Sequence, residues 1–341
     1  MIRQVENPPN PWANTSVDYD LGGVPEARVE VFEDHSRSIL SKNNSPDIPF
    51  TYSANPYRGC LHACAYCYAR PTHEYLGFGA GTDFDTKLIV KPDAPMLLRS
   101  AFEKRGWQGD IVVLSGVTDC YQPLEASYRL TRGMIDVCTA YRNPVGIITK
   151  SPVIERDIDA LIRLKEVASL HVTISIPIFD EQVARAIEPR VTTPMRRMRI
   201  IERLSAAGIR VGINVAPIIP GLNESDIAPL LSHAKEAGAQ WAGTTMLRLP
   251  GSVRQVFETR IREALPLRAD RIINRLREAH AGKVYRAEFG VRGRGTGQYA
   301  DMVAALFKRT AARVGLEVNG AFSIAPTFSL PEKAKRQLSL F

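Results

Sequence analysis

Between residues 49 and 247 the chain repeats one alternation six times: a short run of apolar and β-branched residues, then a stretch with helical spacing. The runs fall at 49–54, 111–116, 145–150, 170–177, 210–216 and 241–247; amphipathic stretches include 153–168, 195–207 and 224–237. Gly208 and Gly238 stand where helix-ending glycines belong. Strands separated by helices imply a parallel sheet, because parallel neighbours need a crossover connection. An open doubly wound sheet and part of a barrel both satisfy this pattern. With 341 residues, 45% of them apolar, the chain can bury a sizeable core.

The flanks differ from this core. Residues 1–45 read as an irregular arm with one short strand at 28–32, and 46–250 as the α/β unit. Residues 251–330 read as a mostly helical, basic extension, with helices at 253–265, 269–280 and 299–314, and 331–341 as a short basic tail. The formal net charge is +8, and between Thr245 and Arg294 there are 12 basic residues against 5 acidic. Eleven of those cations are arginines, which suit phosphates; a solvated helical face is the other reading. The glycine-rich loop Gly290–Gly297 can track a phosphate backbone or serve as a linker. No run of about 18 apolar residues occurs, so no membrane helix is expected. The opening MIRQVENPPNPW lacks the apolar core of a signal peptide, which predicts a cytoplasmic protein.

Cysteine placement narrows the chemistry. Of five cysteines, Cys60, Cys64 and Cys67 lie within eight residues, spaced C-x3-C-x2-C. Three thiolates on one loop can hold three irons of a [4Fe–4S] cube and leave the fourth iron open. Zinc is the rival, with His62 or His73 as a fourth ligand, since structural zinc wants four. The triplet follows the first strand of the βα series, where parallel folds place their sites.

The segment Asn55-Pro-Tyr-Arg-Gly-Cys60-Leu-His-Ala-Cys64-Ala-Tyr-Cys67-Tyr-Ala-Arg70 resembles the radical S-adenosylmethionine (SAM) superfamily, whose hallmark is C-x3-C-x-aromatic-C. SGVTDCYQPLE, ITKSPVIERDID, IEPRVTTPMRRM and AAGIRVGINVAPIIPGLNE extend the likeness to its spore photoproduct lyase-like branch, across about residues 50 to 250. The resemblance implies a partial (β/α)6 TIM-type barrel carrying a [4Fe–4S] cluster and SAM, with a flavodoxin- or ferredoxin-type electron donor. Reductive cleavage of SAM to a 5′-deoxyadenosyl radical and hydrogen-atom abstraction from substrate would follow. On this reading the substrate is nucleic acid, DNA foremost, with RNA, a peptide, or a non-enzymatic zinc-stabilised nucleic-acid-binding protein as alternatives.

Cofactor contacts are carried over one residue at a time. Tyr66 matches the aromatic beside the adenine. Thr118 and Asp119 follow the second strand, where the superfamily binds the methionine amino group, although the usual Gly-Gly-Glu is absent. Lys150 would meet the methionine carboxylate, Ser175 the ribose, and Ala216 would let the adenine approach the backbone. Cys120 is a candidate hydrogen donor, with small apolar packing as its other reading. The thiol of spore photoproduct lyase resembles the position of Gly116 instead. Cys138 reads as core, and Arg196 and Arg197 as either substrate-facing or plain helix surface. The final Gln337-Leu338-Ser339-Leu340-Phe341 resembles the pentapeptide by which bacterial repair proteins dock on the β sliding clamp.

Overall fold

The computed structural model describes residues 29–318 and 325–331, together with the backbone of strand Ile2–Val5. The pentapeptide Gln337–Phe341 lies outside these residues. Six strands, β1 (Tyr52–Ala54), β2 (Val112–Leu114), β3 (Val145–Thr149), β4 (Leu170–Ser175), β5 (Val211–Ile218) and β6 (Trp241–Met246), lie side by side in chain order, all parallel. Leu40–Lys42 extends the sheet antiparallel to β1, and Glu317–Val318 extends it parallel to β6. Among the described residues these two edges do not pair, so the barrel stays open along one side. The α/β class and the partial (β/α)6 TIM-type barrel expected from the sequence are what the chain forms.

The strand sequences explain this placement. All of Val112, Val113 and Leu114 are buried, as are Val172 and Ile174 on β4. Near-continuous apolar runs suit strands covered on both faces. The outer cover comes from helices α1 (Ala94–Phe102), α2 (Leu130–Ala140), α3 (Ile158–Val167), α4 (Pro194–Ala206) and α5 (Ile227–Glu236). Each turns one stripe inward: Leu161 and Leu164, Ile200, Ile201 and Leu204, Leu230 and Leu231 are fully buried. Gly208 and Gly238 follow α4 and α5 with positive φ, where the sequence places helix-ending glycines.

A second, four-stranded sheet runs in the order Ile2–Val5, Glu30–Asp34, Lys87–Val90, Tyr57–Arg58. The N-terminal strand therefore lies at 30–34 rather than 28–32, and residues before 46 contribute to both sheets. Tyr57–Arg58 leads directly into the cysteine loop, so this sheet sets where that loop begins.

Helices α6 (Val253–Ala264), α7 (Pro266–Ala279) and α8 (Gln298–Val314) form the C-terminal extension. Proline at the first position starts α7 three residues before the expected boundary. Phe257, Ile261, Ile272 and Leu276 share one apolar cluster with Cys64, Ala65 and Tyr66, so the extension backs the cysteine loop. Residues 325–331 run along the strand-start face: Ser329 N donates to Tyr141 O at 3.0 Å, Ala325 N to Ser169 Oγ at 3.3 Å, and Phe328 packs on Phe102. No described helix is long and apolar enough to cross a membrane.

Candidate active site

The cysteine loop is held by its backbone and by two arginines, one buried and one partly exposed. Gly59 enters it with φ +72°, and an added Cβ would meet the His73 ring, Leu88 and the Lys87 carbonyl at 3.0 Å each, so only glycine fits. Cys60 N donates to Phe84 O at 2.9 Å, and Ala65 N to Ile187 O at 2.9 Å. Arg70, fully buried, donates to the Cys64 carbonyl (2.8 Å), the Ala80 and Gly81 carbonyls (2.9 Å each) and Asp85 Oδ1 (2.9 Å). Arg260 of α6 reaches from the extension to the Ala63 carbonyl at 2.7 Å and to the other oxygen of Asp85. Neither arginine stands out in the sequence, because the partners of Arg70 lie at no regular helix or strand spacing and those of Arg260 lie far along the chain.

All three cysteines are free thiols, two buried and Cys67 partly so. Burial pushes Cys60 well above the usual thiol range, Cys64 up to about 12, and Cys67 upward. Lys150 opposes the shift at Cys64, and Arg70 opposes it at Cys67. Thiols desolvated in this way ionise only beside strong positive charge, which iron supplies. The two histidines of the zinc reading are engaged elsewhere. His73 bonds the Lys87 carbonyl through Nε2 at 2.8 Å and packs edge-on against Phe84. His62 Nδ1 faces Asp119 Oδ2 at 3.4 Å. Three thiols and no converging histidine fit an iron–sulfur cube better than a closed zinc site.

Tyr66 lies in this loop, and the other cofactor candidates lie at or near the C-terminal ends of β2 to β5. Tyr66 is buried, its hydroxyl donating to Glu188 Oε1. Lys150, just past β3, places Nζ 5.7 Å from the Tyr66 ring centroid. Burial disfavours its charge, but Cys64 and Glu188 outweigh that and raise its pKa. Asp119 accepts the Lys150 backbone N–H at 2.7 Å and the Thr149 hydroxyl at 2.7 Å. Thr118 is buried and its one hydroxyl proton is shared between the Tyr57 carbonyl at 3.0 Å and Asn55 Oδ1 at 3.1 Å. Thr118 and Asp119 thus spend bonds on fixing the turn after β2. Ser175 ends β4, buried, its carbonyl accepting from Arg197 at 2.9 Å. Ala216 is half-buried on β5.

The turn after β2 also carries Cys120 and Gly116. Cys120 is fully buried in the main apolar core, beside Tyr121 and Met134, and the Thr131 hydroxyl donates to its carbonyl at 2.6 Å. Burial pushes its thiol well above the usual range. Gly116 lies against β1: a Cβ there would stand 2.6 Å from Ser53 Oγ.

Sequence reasoning misplaced Arg197 and missed its partner Glu188. Arg197 is neither surface nor substrate-facing; it is fully buried and pairs with Glu188 Oε2 at 2.8 Å. Burial raises the Glu188 pKa, but Arg197 and Lys150 more than offset this and hold it below the ordinary glutamate range. Arg196 faces outward and pairs with Glu155 at 2.6 Å.

A profile of the radical SAM superfamily matches residues 54–234. An uncharacterized protein of Mycobacterium tuberculosis is 36% identical over 247 residues, 72% of this chain and 72% of its own. One of Methanocaldococcus jannaschii is 28% identical over 196 residues, 58% of this chain and 70% of its own. Spore photoproduct lyase, solved with dinucleoside spore photoproduct, superposes with a TM-score of 0.62 at 16% identity, covering 84% of this chain and 81% of that one. At that identity the likeness is one of fold. From the profile match and the loop that presents Cys60, Cys64 and Cys67 at the strand ends, the chain belongs to the radical SAM superfamily, enzymes that use a [4Fe–4S] cluster and SAM.

Proposed function

We propose that this enzyme acts on nucleic acid, with DNA repair or base modification as its task. The observation that carries the reading is the basic stretch that follows β6, with 12 cations against 5 acids between Thr245 and Arg294. Spore photoproduct lyase, whose fold this chain shares, is solved with a dinucleoside lesion, which supports the same substrate class. A base inside duplex DNA must leave the stack to reach a barrel interior.

Each cluster and cofactor candidate has a task in this reading. Cys60, Cys64 and Cys67 hold the cluster. Tyr66, locked by Glu188, lies beside the adenine, and Ser175 and Ala216 line the nucleoside. Lys150 keeps its charge in a buried setting and pairs the carboxylate, oriented by the bond from its own backbone N–H to Asp119. Thr118 and Asp119 shape the turn that receives the amino group. For Cys120, burial in the core favours the packing reading over that of hydrogen donor. When bound, the cluster and SAM supply a 5′-deoxyadenosyl radical that removes a hydrogen atom from substrate. A flavodoxin- or ferredoxin-type protein provides the electron, and Gln337–Phe341 docks on the β sliding clamp.

Anaerobic reconstitution followed by mass spectrometry for 5′-deoxyadenosine tests the reading. Irradiated DNA should raise the yield above the level without substrate. RNA or peptide raising it while DNA does not would replace the substrate class. Cys60→Ala, Cys64→Ala and Cys67→Ala should each abolish the product and deplete iron.

A further inference from the structure

Two exposed aromatic rings at the barrel mouth each carry an arginine on one face. Tyr68, next to Cys67, is 48% exposed; its hydroxyl donates to the Gly116 carbonyl at 2.9 Å, and the Arg248 guanidinium sits 5.5 Å from its ring centre. Phe289 is 59% exposed, with the Arg292 guanidinium 4.5 Å from its ring centre. Asp47 links the pairs. It accepts Arg292 Nε at 2.6 Å and the Gly290 N–H at 2.7 Å, and Arg248 lies close enough to help lower its pKa. The ties from Gly290 and Arg292 bridge the barrel's open side, from the segment before β1 to the loop after α7. The Nε of Arg248 is buried with no hydrogen-bond partner.

Beside Arg248 the chain turns into a concavity of about 390 Å³, whose lining includes Gly251, Arg254, Arg277, Lys283 and Tyr285 and no acidic residue. On α6, Glu258 pairs at the surface with Arg254 at 2.8 Å. An arginine-backed aromatic suits a nucleobase, because every base offers a π face. A concave group of cations suits the phosphodiester that follows it.

We propose that this rim is a path for single-stranded nucleic acid. Flanking bases stack on Tyr68 and Phe289, and a backbone phosphate sits among Arg254, Arg277 and Lys283. The path delivers the strand to the cluster loop through Tyr68. The inference rests on the nucleic-acid reading and specifies how that site is reached.

The test is fluorescence anisotropy of reconstituted protein with 12-nucleotide dT and rU probes across a salt series. Phe289→Ala should weaken binding roughly tenfold without changing the salt slope, and Phe289→Tyr should restore it. Arg254→Gln with Lys283→Gln should lower the slope by about 0.7 for the lost phosphate contact. The dT and rU arms report whether the path prefers DNA or RNA. Tight binding by the wild type that neither set of variants alters overturns the path and leaves the nucleic-acid reading standing. No binding of either probe by the wild type overturns both.

Discussion

The buried pair Glu188–Arg197 is the side-chain contact on which the site most depends. Both groups are essentially without solvent, and Glu188 also anchors the Tyr66 hydroxyl. Removing one partner leaves an unpaired buried charge, which costs about 3–5 kcal/mol. Arg197→Met should therefore lower unfolding free energy by that amount in urea titration. The double variant with Glu188→Leu should recover part of it; equal losses in single and double variants would rule out the pair as the cause. The pH dependence has a defined sign. Glu188 is held below the ordinary glutamate range, so its contribution is complete above about pH 4.3 and is lost as pH falls through the lower folded value. Glu188→Gln should remove that part of the acid slope. Steric fit gives a second residue-scale expectation. Gly116→Ala puts a Cβ 2.6 Å from Ser53 Oγ and should destabilise by about 1–3 kcal/mol, while adding Ser53→Gly should relieve it. The three cysteines were legible because their spacing is itself the chemistry. Arg197 was not, because an arginine in a helical pattern reads as solvated until the fold brings Glu188 beneath it.

Elements separate along the same line. All six barrel strands were legible, since each is a compact apolar run flanked by an amphipathic helix. The four-stranded sheet was not. Its strands have two to five residues, and Glu30–Asp34 pairs with Lys87–Val90 more than fifty residues on, so no local period announces it. The extension read as a separate basic unit, but α6 and α7 share an apolar cluster with the cysteine loop. Arg260 makes that contact specific, with one bond to the Ala63 carbonyl and one to Asp85, which also holds Arg70. Arg260→Ala should leave global unfolding within about 1 kcal/mol, because the guanidinium is partly exposed. The cysteine loop should nonetheless open more often. The expected readout is faster iron loss to a chelator, followed by the decay of visible absorbance, with circular dichroism unchanged. Iron loss at the wild-type rate would show that the small sheet and Arg70 hold the loop unaided.

At the scale of the whole molecule, the two ends of the barrel are divided between tasks. The cysteine loop, Lys150, Ser175 and Arg248 all follow their strands and so share one end. Residues 325–331 run along the opposite end, against Tyr141, Arg142 and Ser169, each of which precedes a strand. An added Cβ at Gly109 would stand 2.3 Å from the Cβ of Phe328, so the last described segment is closely seated there. The chain thus leaves the described region at Pro331 on the face away from the mouth. If Gln337–Phe341 docks on the β sliding clamp, the five residues between Pro331 and Gln337 place the clamp near the strand-start face, since extended chain of that length reaches about 20 Å. Clamp and nucleic acid then do not compete for one surface. Calorimetric titration of β clamp into the full chain should give the same Kd with and without a saturating 12-nucleotide dT probe. A chain lacking Gln337–Phe341 should bind no clamp and keep its probe affinity. Clamp binding that displaces the probe, or that survives loss of the pentapeptide, would move the docking surface to the mouth or to the arginine-rich helices and end the division proposed here.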